Sequence, residues 1–388
     1  MNRLQLLCIQ IILSISLCGA VTYAVLLGYK KDNTVQTVKP SSIAGEVNDA
    51  APKPDKGEPE QRPAALLPES SSLSEQLKTI TVSAAGDVTI GTDESFPYPN
   101  SFNHELKKNG YPFFSQNVKD IFSKDDLTIV NLETTLTEAK EKARKQFRFK
   151  GAPENARILR MGSIEAVNVA NNHTHDYLQR GYEDTINNLK KYNVGFFGYD
   201  HTYMTNIKGV KVGALGYEGW DNTVALRTQI YNNITQLRAK GARIVIVSFH
   251  WGVERSNYPN STQMALGRYA IDSGADLVLG HHPHVIQGIE EYKGKYIVYS
   301  LGNFIFGGNR NPTDKDTFIF QQTFHVRNGE VVEKKECKVI PASISSVKER
   351  NNYQPTPLKG QEAERVLSRI KKYSKHLQMD WSSVQQSL

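Results

Sequence analysis

From about Lys78 onward the chain predicts an α/β architecture, and three observations predict it. Short apolar, β-branched runs alternate with longer segments of helical period. The runs stop abruptly at Gly, Asp, Asn or His. Later strands are joined by turn signals such as Arg327-Asn328-Gly329, which point to a second, partly antiparallel sheet.

In chain order, Ile80–Ala85 is a β-prone run ending at Gly86-Asp87. Leu127–Val130 ends at Asn131-Leu132-Glu133, and Ala166–Ala170 ends at Asn171-Asn172-His173. A helical pattern covers about Leu178 to Tyr192, with short strands at Val194–Phe197 and Val212–Leu215. A helix from about Val224 to Lys240 leads into Arg243–Phe249, which ends at His250-Trp251-Gly252. A helix over about Ser261–Asp272 leads into Asp276–Leu279, and Tyr296–Tyr299 precedes Ser300-Leu301-Gly302-Asn303-Phe304. β-Rich segments follow at Thr317–Val326 and Val331–Ile340. Residues 346–388 read as a polar tail, with helical composition from Glu362 to Leu377.

The front of the chain is different. Leu4–Gly28 carries no charged residue and is long enough to span a bilayer as a helix. A cleaved signal peptide is the alternative, but its apolar core would run only about 7–15 residues. Residues 1–31 therefore read as a signal-anchor. Arg3 before it and Lys30-Lys31 after it nearly balance, so charge does not orient it. Residues 32–77, with six prolines among Ala, Ser, Glu and Lys, read as a disordered spacer. The catalytic-size part is then 78–345.

The chain has 388 residues, a formal net charge of +7 and three cysteines. The mild basic excess suits an anionic substrate or surface. No Lys/Arg block or aromatic–basic motif supports nucleic-acid binding, and Cys337, alone outside the apolar front, offers no disulfide framework.

The chemistry concentrates at strand ends. Leu279-Gly280-His281-His282-Pro283-His284 holds three of the ten histidines. In an extended segment His282 and His284 point one way and His281 the other. With Asp87, Glu133, Asn172-His173 and His250 at other strand ends, this is a ligand set for one or two divalent cations of the Mn, Fe or Zn kind. Asn303, and Tyr217, Glu218 and Trp220 after Gly216, are candidate substrate-side groups. Arg148 and Lys150 share a face if Phe147–Lys150 is a strand, either to meet a substrate anion or as an exposed edge.

The series Gly86-Asp87-Val88, Asn131-Leu132-Glu133, Ala170-Asn171-Asn172-His173, His250-Trp251-Gly252, Gly280-His281-His282-Pro283-His284 and Ser300-Leu301-Gly302-Asn303-Phe304 resembles the motifs of CapA-type poly-γ-glutamate capsule synthesis proteins. These belong to the calcineurin-like metallophosphoesterase superfamily. The resemblance covers about Val82 to Phe306, and a front membrane anchor also fits it. It implies a four-layer α-β-β-α sandwich with mixed sheets behind one transmembrane helix. It implies Asp87 and His284 on a first metal, Asn172, His250 and His282 on a second, Glu133 bridging, and His173 as general acid. Two departures weaken the first site. Thr89 stands where superfamily phosphatases have His, and Asn-Leu-Glu replaces Gly-Asp-x-x-Asp. His175, Asp176 and His104 are either compensating groups or loop residues.

The expectation is a single-pass membrane protein with its globular domain outside the cytoplasm. It would act on an anionic polymer or phosphoester, alongside subunits of a membrane synthase complex. The alternatives are a non-enzymatic, polymer-binding accessory subunit and a phosphatase unrelated to capsule.

Overall fold

The apolar run at Ile80–Ala85 extends both ways into strand β1 (Lys78–Thr89), buried through its second half. The computed structural model describes residues 77–332 and 336–386 and sets this strand mid-sheet. On one side lie, in parallel, β3 (Leu127–Leu132), β6 (Ala166–Asn168) and β7 (Gly195–Phe197). On the other side lies antiparallel β15 (Asp316–Arg327), followed by β17 (Cys337–Ser343) and β18 (Thr356–Pro357). β14 (Asn303–Phe306) pairs with the far end of β1, while β16 (Glu330–Val332) and β19 (Val384–Gln386) extend β15 and β17.

The second sheet runs β12 (Ile289–Tyr292), β13 (Lys295–Val298), β11 (Leu277–His281), β10 (Ile244–Trp251), β9 (Val210–Gly219), β8 (Tyr203–Ile207). A small third sheet joins β2 (Thr92–Asp93), β5 (Phe149–Gly151) and β4 (Thr135–Leu136). Helices are α1 (Phe102–Asn109), α2 (Lys119–Phe122), α3 (Ala156–Met161), α4 (Leu178–Lys191), α5 (Val224–Ala239), α6 (Ser261–Asp272) and α7 (Gly360–Tyr373).

Side-chain alternation builds the layers. Ile80, Val82, Ala84, Leu127 and Ile129 face Val212, Ala214, Ile244, Ile246, Leu277 and Leu279 between the two sheets. Val88, Val130, Leu132 and Val167, on the outer face of the first sheet, pack on Phe102, Phe122, Ile158, Leu159, Ile186 and Leu189. Leu215, Val245, Val247, Phe249 and Val278 do the same against Ile230, Ile234, Leu237, Leu266 and Ala270. The result is an α-β-β-α stack of mixed sheets. Strands covered on both faces read as unbroken apolar runs, which is why β10 and β11 carry no alternation.

The expected signal-anchor, and the linker up to its last residue, lie outside the described residues. Among the described residues no helix is long and apolar enough to cross a membrane. Short α1, α2 and α3 leave no strong periodic signal.

The C-terminal stretch is not merely polar. α7 buries Ala363, Val366, Leu367 and Ile370 as a 3.6-period stripe, and the last three join the inter-sheet core. Its other face clamps the chain entering β15. Arg365 donates to both oxygens of Asp316 at 2.6 and 2.7 Å, and Arg369 binds Asp314 at 2.6 Å and also Asp316. Burial would raise Asp316, but these guanidinium contacts outweigh it and hold the carboxyl below its usual 3.8. A depressed carboxylate stabilises the fold above its unfolded pKa and loses that contribution as pH falls through the folded one. Asp316→Asn is expected to cost roughly 2 kcal/mol at neutral pH, measured by urea unfolding. The deficit relative to the parent should shrink as pH falls below about 4.

Candidate metal centre

The strands run further than their apolar stretches predict. β1 continues to Thr89, β10 to Trp251 and β11 to His281, so Asp87, His250 and His281 sit inside paired strands. Asp87 is level with Asn131 and Asn303, and Asn131 with Asn168. Across the second sheet His250 is level with Glu218 and His281. Two rows of polar residues therefore meet at the carboxyl ends of both sheets.

Glycine permits the meeting. A Cβ on Gly280 would lie 2.0 Å from the Tyr299 carbonyl, and one on Gly86 2.0 Å from that of Gly302. Glu133 is drawn in by its own N–H, donated to the Val88 carbonyl at 2.9 Å. The loop after β11 takes unusual backbone: His282 has φ 94° and His284 φ 57°, with Arg255 opposite at φ 62°. Such conformations cost about 1–3 kcal/mol each and cluster at functional sites.

Two groups of ligand-type atoms result, each with all its atoms within 4.8 Å of one another. One is Asp87, Glu133 and His284; the other is Glu133, His250 and His282. They share Glu133. A third, Glu254 with His282 and His284, opens toward solvent. Asn172 Oδ1 lies 2.9 Å from His250 Nε2 and so joins the second group. Both Glu133 oxygens and His282 Nδ1 are buried without a hydrogen-bond partner. Buried orphan lone pairs converging on one place fit a divalent cation.

The electrostatics are those of two crowded, desolvated carboxylates. Burial lifts Glu133 well above the carboxylate range; His284 opposes this, and Asp87 and Glu254 add to it. Burial would raise Asp87 too, but contacts with His281 and His284 hold it well below that range. His284 goes the other way: Glu133 and Asp87 outweigh burial and lift it to about 10. Burial keeps His250 neutral, well below its ordinary value, and burial with the His284 charge takes His282 to about 4. His282 and His250 thus offer neutral imidazoles, the metal-binding form.

His173 stands beside the cluster, its Nε2 4.0 Å from Glu133. Its Nδ1 is 2.6 Å from Asp176 Oδ2, and its ring stacks on Phe149 at 4.2 Å. Lys145 Nζ donates to the other Asp176 oxygen at 2.7 Å. Burial lowers the His173 pKa, and Asp176 opposes that. Asp176 is therefore a fixed partner of His173, signalled by the spacing His173-x-x-Asp176. His104 lies on α1 and His175 packs on Tyr182 and Tyr199, so neither supplements the cluster.

The remaining candidates take particular places. Asn303 Oδ1 lies 2.9 Å from His284 Nδ1, and its amide donates to the His284 carbonyl at 3.1 Å, so it orients that ring. Glu218 accepts from Tyr199 (2.9 Å) and Trp220 (3.1 Å), and the indole stands edge-on to His282 at 4.7 Å. Arg148 is not brought to the cluster: its guanidinium donates to the Lys145 carbonyl at 2.5 Å while Phe147 and Phe149 line the cleft. His281 does not face away. Being level with His250, it points inward, 3.5 Å from Asp87, because the strand continues through it.

Sequence reading missed Asn131, which donates to Asp87 (2.9 Å) and lies 3.1 Å from His250, tying the sheets together. It also missed Glu254, whose only signal is its place four residues after His250. Thr89, at the position of the missing histidine, donates its hydroxyl to the Glu133 carbonyl at 3.1 Å. It pins the shared carboxylate's backbone.

Residues 81–308 match the family model described as bacterial capsule synthesis protein PGA_cap. The chain belongs to that family. All six motifs and Glu254 fall within the matched segment. The chain is 29% identical over 311 residues to the capsule biosynthesis protein CapA of Bacillus anthracis, covering 73% of this chain and 71% of that one. It is 31% identical over 269 residues to the PGA biosynthesis protein CapA of Bacillus subtilis, covering 64% and 68%. It is 24% identical over 261 residues to a probable polyglutamine synthesis accessory protein of Mycobacterium tuberculosis, covering 58% and 67%.

Because Glu133 is common to both ligand groups, Glu133→Gln is expected to lower bound Mn, Fe and Zn more than Asn172→Ala does. Elemental analysis of the purified proteins reads this, and equal retention by both variants would contradict the shared position of Glu133.

Proposed function

We propose that this chain is a membrane-anchored protein of poly-γ-glutamate, or similar anionic-polymer, synthesis, export or surface attachment. Its extracytoplasmic domain would carry a hydrolytic metal centre of phosphoesterase type. The process is supported by the family and by the names of the capsule, PGA and polyglutamine synthesis relatives. The anchor is supported by the uncharged run Leu4–Gly28. The observation that carries the chemistry is the pair of ligand groups sharing Glu133, with His173 beside them.

Asp87, Glu133 and His284 would hold one cation, and Glu133, Asn172, His250 and His282 another. One or two Mn, Fe or Zn ions there would supply an activated water and polarise a phosphoryl or acyl oxygen. The chain's own groups do the rest. Asp176 fixes the His173 ring and offsets part of the burial that lowers its pKa, and His173 Nε2, facing the cluster, would deliver a proton to a leaving oxygen. Lys145 balances the Asp176 charge. Asn303 and the strained 282–284 backbone hold His284 in place. Trp220, fixed by Glu218, screens His282 from solvent.

A second reading is a polymer-binding accessory subunit without turnover. Thr89 favours it, since that position supplies no imidazole to the first ligand group.

The test uses the full-length protein in detergent, with bound metals measured and a phosphomonoester and a phosphodiester assayed. The parent is expected to hold metal and hydrolyse one of them. His173→Ala should lower turnover by about 10²–10⁴ with metal content unchanged. A loaded parent with no turnover, in cells whose polymer production still needs it, would support the accessory reading.

A further inference from the structure

A cleft of about 540 Å³ opens beside His173 and His284, within the range of small-ligand sites. The geometry points to a subsite there for a polymer whose carboxylates are spaced by short methylene segments, with Arg255 and Arg310 pairing the carboxylates and phenylalanines carrying the methylenes. This rests on the polymer reading above and deepens it by naming what lies against the metal centre.

Arg238, Arg243, Arg268, Arg350, Arg365 and Arg369 each pair with a carboxylate. Among the described residues Arg255 and Arg310 form no ion pair, though both line the cleft. Arg310 donates to the Pro99 carbonyl at 2.8 Å, and its Nε is buried without a partner. Of the acids on the same wall, Asp314 is taken by Arg369, and Glu254 groups with His282 and His284. Two positive charges are left for a ligand.

Arg255 is also placed. Its left-handed backbone is held by its N–H, donated to the Pro283 carbonyl at 2.8 Å, so it is tied to the loop carrying His282 and His284. The facing loop carries the same left-handed backbone at His282 and His284.

The apolar wall reaches from solvent to the cluster. Phe147 is 43% exposed and meets Phe96 edge-on at 6.2 Å. Phe149 stacks on His173, and Phe306 lies 4.9 Å from His284. A lone phosphate needs no such wall. A γ-linked glutamate unit, with one free carboxylate, two methylenes and an amide, uses both the phenyl faces and the guanidinium groups.

The test is fluorescence anisotropy of a labelled γ-linked glutamate oligomer on the full-length, metal-loaded protein in detergent. Saturable binding is expected. Arg255→Gln and Arg310→Gln should each weaken it about tenfold, as loss of one charge-assisted hydrogen bond implies. Arg255→Lys should recover part of the loss, and Phe147→Ser should weaken binding without changing its salt dependence. Thermal melts and metal content read on every variant show that each has folded. Unchanged affinity in the folded Arg255→Gln, Arg310→Gln double variant would overturn the proposal. So would tighter binding of a phosphodiester polymer than of the glutamate oligomer. A protein that holds metal and hydrolyses phosphoesters but ignores the oligomer sinks the cleft alone. One that binds the oligomer through both arginines without turnover upholds the cleft and sinks the hydrolase.

Discussion

Two desolvated carboxylates, Asp87 and Glu133, set the terms for this fold. Each is fully buried, and leaving charge in such a place costs several kcal/mol unless it is matched. The protein matches it from the opposite sheet. His284 sits 3.3 Å from Asp87 and 3.7 Å from Glu133, where the two carboxylates favour its charged form. The two sheets are thereby joined at their carboxyl ends by charge as well as by the apolar core behind.

That constraint explains features that would otherwise look unrelated. Gly86 and Gly280 are small because strands and loops must close on the charges. The 282–284 loop accepts left-handed backbone at two histidines to aim them inward. Asn131 and Asn168 form a buried chain, with Asn168 donating to Asn131 at 3.0 Å and Asn131 donating on to Asp87. A satisfied polar network of this kind fixes one arrangement of its members, whereas a half-satisfied one would be costly. Both oxygens of Glu133 and Nδ1 of His282 are left without a hydrogen-bond partner, the mark of positions completed by something outside the chain.

Much of this was legible in sequence because the ligands follow uninterrupted apolar strands. Asp87, Glu133, His250, His282 and His284 stood at the ends of such strands, and the structure brings all five together. α4, α5 and α6 were readable from their period, to within a residue at each end. What was hidden depended on register. His281 was expected to face away by alternation with His282 and His284; it lies in β11 level with His250 and points inward, and left-handed backbone at His282 and His284 breaks the alternation and turns those rings inward too. Of the two sides open to Arg148, a substrate anion or an exposed edge, the cleft takes its neighbours Phe147 and Phe149 instead. Asp176 looked like a loop acid because its partner, His173, is recognised only once the turn is formed. Glu254 and Arg255 follow a motif and carry no pattern of their own.

The most direct measurement of the central claim is the position of bound metal. Crystals of the protein grown with Mn or Zn, with data collected at the metal's absorption edge, would show it as anomalous density. The account predicts density in contact with Glu133, flanked by Asp87 and His284 on one side or by His250 and His282 on the other. Anomalous density elsewhere, with Glu133 bound only to protein atoms, would contradict it.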